Sequence, residues 1–381
     1  MKRKYFATGL AAVLALSLAA CGGSRSSSGA SSVSSVATAS SSASTSGSSG
    51  TSSESVGTAT SSSAANSTGA NSGWDTDAEH EGDLNIAVIL KTTSSEVGHY
   101  LQIGAEDYSK AHPNVHVDVT GASSETSYDE QMNMIESAVS SGQYDAIVLD
   151  PLQADAAATV LKNSPIPVVS FDTEVGAEVT ACHVGVGNEE AAKAGGEAAV
   201  KAAKAAGWDD IRCIEIAGVQ GDPTNEARMK GYREGVNGAG GTYEDDEIQY
   251  ADAVADKAVN CMEGLMSRNP DGVAIVCANN DDMAIAAAKA ASGNEAYKNT
   301  IFLGFDGMKS AAEVIVNGTV QNYLSVACDW NGMTYTAVDA AVRAVNGENL
   351  PEFVASSYEI MDKSNAESRK ELMESYLANA N

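Results

Sequence analysis

The sequence predicts a two-lobed α/β body of doubly wound parallel sheets behind a long non-globular leader, and three observations lead there. From Leu84 onward, short β-rich runs alternate with runs of helical period, the pattern of βαβ units around a parallel sheet. The strand cores are unbroken apolar runs, such as Ala146-Ile147-Val148-Leu149 and Val273-Ala274-Ile275-Val276, as expected when helices cover both faces of a sheet. One set of units precedes residues 182–187 and a comparable set continues to about Val326, so the 381 residues divide most economically into two lobes.

The chain opens with Lys2, Arg3 and Lys4, then an apolar run from Phe6 to Ala20. That run is shorter than the roughly 20 apolar residues that span a bilayer, and a basic start with a short apolar stretch reads as a secretory signal over residues 1–20. It ends in Leu18-Ala19-Ala20-Cys21-Gly22-Gly23, which resembles a bacterial lipobox and implies lipidation at Cys21. Residues 21–82 are dominated by Ser, Gly, Ala and Thr; they cannot bury enough apolar surface to offset ordering entropy, and form a disordered tether of about 45 Å root-mean-square reach. The expected location is therefore extracytoplasmic, anchored to the cell membrane through Cys21.

In the body, strands are expected at 84–90, 115–120, 146–149 and 168–171. The second set falls at 211–217, 242–250, 273–277 and 301–304. Helices are expected at 97–111, 128–141, 154–163, 189–206, 225–237, 255–267, 281–291 and 309–317, on apolar positions three and four apart. A helix over 330–345, a strand over 352–358 and a helix over 364–378 close the chain. The formal charge of −28 becomes −31 when the three basic residues of the signal leave. Such an excess keeps a protein soluble and argues against nucleic acid as a partner. Five cysteines remain after Cys21 (Cys182, Cys213, Cys261, Cys277 and Cys328), without metal-ligand spacing, so neither a metal site nor an obligatory disulfide is expected.

Open α/β sheets bind ligands outside the carboxyl ends of their strands, which selects candidate residues. The first half offers Lys91, Thr92 and Ser95 after the first strand, Asp150 after the third, and Asp172 and Thr173 after the fourth. The second half offers Asp222 and Thr224, then Asn279 and Asn280, then Asp306. Taken singly, each is as well explained as a helix cap or turn residue; together they suggest a site. Carboxylates accept from paired hydroxyls, and a guanidinium donates in a planar fork. With Arg228 and Lys91 set against Asp172 and Asp306, the charge suits a neutral, polyhydroxylated guest. Asp329, beside residue 328, joins the candidates.

Several segments also resemble a known family. Gly221-Asp222-Pro223-Thr224-Asn225-Glu226-Ala227-Arg228, leading into Gly231-Tyr232, is similar to the hinge-facing loop of the glucose/galactose-binding proteins. Ala278-Asn279-Asn280-Asp281, Gly304-Phe305-Asp306-Gly307 and Phe171-Asp172 resemble segments of the glucose/galactose- and ribose-binding proteins in the same order. The resemblance, over about 84–358, implies a type I periplasmic-binding-protein fold: two Rossmann-like lobes joined by a three-crossover hinge, closing on a ligand for an ABC importer. It puts crossovers near Val186, Cys328 and Pro351. The lobes become 83–186 with 328–350, and 187–327 with 351–381. It also implies that Asp172, Arg228, Asn280 and Asp306 bind sugar hydroxyls. Where pyranose-binding relatives carry aromatics, this chain has Val97, Gly98 and Ala253; Tyr100, Tyr250 and Trp330 are the nearby rings. Lys91 is reminiscent of the autoinducer-2 receptor branch, so a pentose, a polyol or an autoinducer-2-like compound is the alternative guest.

Other classes fit less well. Gly185-Val186-Gly187 precedes a helix, but Glu190 stands where a dinucleotide loop needs its third glycine. No P-loop, G-x-S-x-G elbow or HExxH occurs, and the five histidines are scattered. We expect a binding protein without cofactor or metal, not an enzyme, acting as a monomer with permease subunits as partners. A sensory module feeding a receptor kinase has the same sequence signature.

Overall fold

A computed structural model describes residues 74–75, 78–320 and 322–379; the signal segment, Cys21 and most of the tether lie outside the described residues. The body contains two sheets. The first lobe is built from β1 (Leu84–Thr92), α1 (Glu96–Ala111), β2 (Val115–Ala122), α2 (Tyr128–Ser141), β3 (Ala146–Leu149), α3 (Ala154–Leu161), β4 (Val168–Phe171) and β5 (Cys182–Gly185). The second follows with α4 (Asn188–Ala205), β6 (Arg212–Ala217), α5 (Pro223–Gly238), β7 (Thr242–Tyr243), β8 (Gln249–Tyr250), α6 (Ala255–Arg268), β9 (Ile275–Ala278), α7 (Asp281–Ala291), β10 (Ile301–Asp306), α8 (Lys309–Asn317) and β11 (Tyr323–Cys328). The chain ends with α9 (Trp330–Val345), β12 (Phe353–Ala355), β13 (Tyr358–Met361) and α10 (Ala366–Asn379).

The first sheet runs β2-β1-β3-β4-β5-β12 and is parallel throughout. The second runs β7-β6-β9-β10-β11-β13, with β8 also paired to β6 and only β13 antiparallel. The fold is the expected two-lobed α/β one. In each sheet the strand order reverses once, between β1 and β3 and between β6 and β9. These are the topological switch points at which open α/β sheets hold ligands. The central strands are buried on both faces, with all four residues of β3 at 0 % exposure, which is why they read as unbroken apolar runs.

Three expectations are corrected. Residues 182–187 are not merely a divider, because 182–185 form the fifth strand of the first sheet. The strand expected over 242–250 breaks around Asp245-Asp246-Glu247, a 3-10 turn; its acids pair outward with Arg233 and Arg268 instead of joining the ladder. The strand expected over 352–358 is two strands in different sheets, so the third crossing lies at 356–357 and not at Pro351. The crossings are tied together: Ser356 N donates to Gly185 O at 2.8 Å and Asp329 N to Ser357 O at 3.2 Å.

The leader contributes to the first lobe. Asp339 of α9 is fully buried and accepts from Trp74 Nε1 and Ala78 N, each at 2.9 Å. Arg343 donates to Asp75 O and reaches Asp339 at 2.8 Å. The ordered body therefore begins before Gly82.

Candidate ligand-binding cleft

Between the lobes, at the carboxyl ends of both sheets, lies a cavity of about 140 Å³. At about 30 Å³ for each water in the liquid it has room for several waters or a small ligand. The β1–β2 register shifts between Leu90 and Thr92, so Lys91 sits on a bulge, a device that re-aims a side chain. Its Nζ donates to Thr173 Oγ1 at 2.6 Å and Asp172 Oδ2 at 3.1 Å, and lies 3.7 Å from Asp150 and 3.8 Å from Asp222. Buried Gln131 pins the ends of β1 and β3, donating to Leu90 O and Asp150 O while accepting from Leu152 N.

Arg228, on α5, spans the other half. Its guanidinium lies 3.8 Å over the Phe305 ring and donates to Asn188 Oδ1 and Asn279 O, both at 2.9 Å. It stands 3.7 Å from Asp306 in its own lobe and 4.0 Å from Asp172 in the other. The Thr173 and Thr224 hydroxyls bond across the gap at 2.7 Å, and Ser310 N donates to Glu96 at 3.3 Å.

Capping and lining are not alternatives here. Ser95, Asp222 and Asn280 cap α1, α5 and α7 through their side chains and also line the cavity. Three helix N-termini thus converge on it, where their partial positive charge offsets the nearby carboxylates. Asn280 spends its Oδ1 on Met283 N, leaving Nδ2 to donate. Gly98 is required because a Cβ there would overlap the Thr92 carbonyl. Asp172 (φ 55°) and Asp306 (φ 120°) adopt left-handed backbone, as do Asp252 and Ala253 beside the rim. Strain of this kind persists where surrounding structure over-determines it, and clusters at functional sites.

Burial opposes charge throughout the cavity. It pushes the Asp150 and Asp306 carboxyls well above their usual range, against Lys91 and Arg228 respectively, and raises Glu125 as well. For Asp172 burial also pushes upward, but Lys91 and Arg228 outweigh it and the carboxyl titrates lower than usual. Burial opposes the Lys91 charge, yet Asp150, Asp222 and Asp172 hold its pKa well above normal.

Of the sequence candidates, Lys91, Thr92, Ser95, Asp150, Asp172, Asp222, Thr224, Arg228, Asn280 and Asp306 line this one cavity. Thr173 lies behind it, bridging Lys91 and Thr224. Tyr100 does not reach it: fully buried, it bonds Glu96 and packs edge-on against Tyr376, because its helical position faces α10. Asp329 does not line it either; it caps α9 through Gly332 N at 3.0 Å. Tyr250 is outside the lining, which carries one aromatic among the described residues, Trp330, fixed by its Nε1 on Asp306 O at 2.8 Å. Val97, Gly98 and Ala253 are all in the wall.

Glu125 was missed, although the same strand-end rule applied to β2 selects it. The even charge expected is also corrected: seven carboxylates and two cations line the cavity. A larger, more open recess of about 500 Å³ lies toward the crossings, among Glu174, His183, Glu190 and Phe353, without such convergence of strand ends.

Residues 86–349 match the model of a periplasmic binding protein domain. Among characterised proteins, the chain is 25% identical over 207 residues to the ribose import binding protein of Escherichia coli, covering 54% of this chain and 67% of that one. It is 27% identical over 286 residues to the D-allose-binding periplasmic protein of the same organism, covering 72% and 89%. Among solved structures, an ABC transporter solute-binding protein from Mycobacterium smegmatis with bound glycerol is 26% identical, with TM-score 0.65 over 75% of this chain and 96% of that one. A carbohydrate transporter solute-binding protein from Agrobacterium radiobacter, in complex with D-arabinose, shares the fold at 22% identity and TM-score 0.69, covering 77% and 99%.

Proposed function

Because this chain belongs to the periplasmic binding protein family, we propose that it captures a small polyhydroxylated molecule, a sugar or sugar-like compound, for an ABC importer. The observation that carries this reading is the convergence of both sheets' strand ends on one small cavity. Asp172 and Asp306 accept from ligand hydroxyls, and Asn280 donates through Nδ2. Arg228 holds both acids in place across the gap, and Lys91 does the same for Asp150, Asp172 and Asp222. Charge-assisted bonds of this kind are about twice as strong as neutral ones. With Trp330 as its one aromatic, the wall favours a pentose, a polyol or an autoinducer-2-like guest over a pyranose stacked between rings.

The lobes pivot about the crossings at 186–187, 328–329 and 356–357, and the closed form presents both lobes to permease subunits. Lipid on Cys21 holds the protein at the membrane while the tether lets the body search for its partner. The relatives named above are binding proteins, and the chain is a binding protein rather than an enzyme.

Calorimetry and thermal shift against pentoses, hexoses, polyols, their amino derivatives and autoinducer-2 test this. A ligand at 100 times its dissociation constant stabilises by about 2.7 kcal/mol. Absence of saturable binding across the panel, or turnover of a bound member, defeats the proposal.

A further inference from the structure

The cavity has more acceptors than its own donors can satisfy. Arg228 already donates from Nε and Nη1 to Asn188 and Asn279, and its nearest carboxylates are Asp306 and Asp172. Lys91 donates to Asp172 and Thr173. Of the acids around Lys91, Asp222 uses one oxygen to cap α5. That leaves Asp150 and Glu125. Asp150 is 2 % exposed, and its Oδ1 is buried without a hydrogen bond although it lines the cavity. That oxygen is ion-paired with Lys91 at 3.7 Å but accepts no hydrogen bond, so it is free to accept one from an occupant of the cavity.

We propose that the donor is a protonated amine, and that the occupant is an amino sugar or amino polyol whose ammonium docks between Asp150 and Glu125. A hydroxyl brings one donor together with acceptors that the cavity does not need, whereas an ammonium brings three donors and none. Its charge also reduces the excess left by seven carboxylates against two cations. This rests on the binding-protein reading above and narrows its ligand, departing from the neutral guest that the sequence suggested. The remaining hydroxyls engage Asp172, Asn280 and Asp306 as already described.

The test uses the full-length protein and paired probes: glucosamine with glucose, galactosamine with galactose, and 1-amino-1-deoxyribitol with ribitol. In calorimetry the best amine should bind about tenfold tighter than its hydroxyl parent at near-neutral pH, the gap between a charge-assisted and a neutral bond. Glu125→Gln and Asp150→Asn should each reduce that amine-to-parent preference about tenfold, with melting curves checking that both variants fold.

A second readout is pH. Glu125 and Asp150 face Lys91, Asp172, Asp222 and each other, and Glu125 also senses Arg228. Burial holds both carboxyls protonated to higher pH than usual, so amine affinity should rise as the pH is raised and they ionise, for as long as the amine itself stays protonated. A hydroxyl parent that binds as tightly as its amine, or an amine preference that survives both substitutions, overturns the inference and leaves sugar capture standing. No binding by any member of these pairs or of the wider panel of pentoses, hexoses, polyols and autoinducer-2 overturns both.

Discussion

Arg228→Ala is the most informative single change, because the structure gives it two consequences that separate. Arg228 is 4 % exposed and Asp306 7 %, so deletion strands buried carboxylates. Breaking a buried pair by removing one partner costs about 3–5 kcal/mol. For a lobe of this size a kilocalorie shifts melting by roughly 2–4 °C, so a drop of about 10 °C is expected near pH 8. Asp306 can escape the penalty by taking up a proton, since burial already holds its pKa well above the usual range. A raised folded pKa means that the folded state binds more protons than the unfolded state, so stability rises as pH falls. The deficit relative to the unaltered protein should therefore shrink towards about pH 5. Arg228→Lys keeps the charge but not the fork that serves Asn188 and Asn279 at once, and should retain most of the stability while losing binding. The assay is differential scanning calorimetry at both pH values beside titration calorimetry with the best ligand. An Arg228→Ala protein that melts with the unaltered one at pH 8, or a deficit that ignores pH, refutes this account of the cleft.

Lys91→Met removes the cation that faces Asp150, Asp172 and Asp222 and the bond that aims Asp172; affinity for a neutral hydroxyl ligand should fall about tenfold, and solution scattering should report wider lobe separation. Unchanged affinity would remove Lys91 from the site. Starting the body at Gly82 instead of Trp74 deprives buried Asp339 of two donors, and should lower stability to chemical denaturation by about 2–4 kcal/mol; equal midpoints would mean that the strap carries nothing. Gly304→Ala places a Cβ against Asp281 Oδ1 and the Tyr323 hydroxyl. Asp281, whose carboxyl burial pushes up to about 7, holds Gly307 N and Met308 N and so shapes the turn after Asp306. The variant should bind less tightly and melt lower, and native values for both would show that this turn does not depend on Asp281.

The fold was legible because each buried strand announces itself as an apolar run, and the two switch points follow once those runs are ordered. The site was legible through the rule that ligands sit beyond strand ends, which selected Lys91, Asp150, Asp172, Asp222, Asn280 and Asp306 from the many polar residues. What failed did so for physical reasons. Tyr100 and Asp329 are near the cleft in sequence, but a helix rotates one of them onto α10 and uses the other as a cap. The crossing at 356–357 was hidden because two short strands of different sheets abut with only two residues between them. The strap at Trp74 and Ala78 was invisible because its anchor, Asp339, is about 260 residues away. The charge of the cavity was misjudged for a related reason: beyond Asp172 and Asp306 its acids are Glu96, Glu125, Asp150, Asp222 and Asp282, on separate elements that no local pattern adds together.

Around the cavity itself the contacts named between the lobes are polar: Thr173 with Thr224, Lys91 with Asp222, Arg228 with Asp172, and Glu96 with Ser310 N, while Tyr100 packs on Tyr376 away from it. Polar contacts of this kind exchange readily with water and yield little net free energy one by one, unlike an apolar seam. They fix the register in which the lobes meet without committing the protein to that state. A ligand that bonds to Asp172 on one lobe and Asp306 on the other adds differential affinity for the joined arrangement, which is the only currency in which it can shift such an equilibrium. The left-handed backbone at those same two residues works in the same direction. Their carboxylates are aimed by strained turns fixed from behind by Trp330, Asp281 and the Thr173–Lys91 contact, so under the function proposed above little further ordering would be needed on binding, and more of each new bond would go into closure.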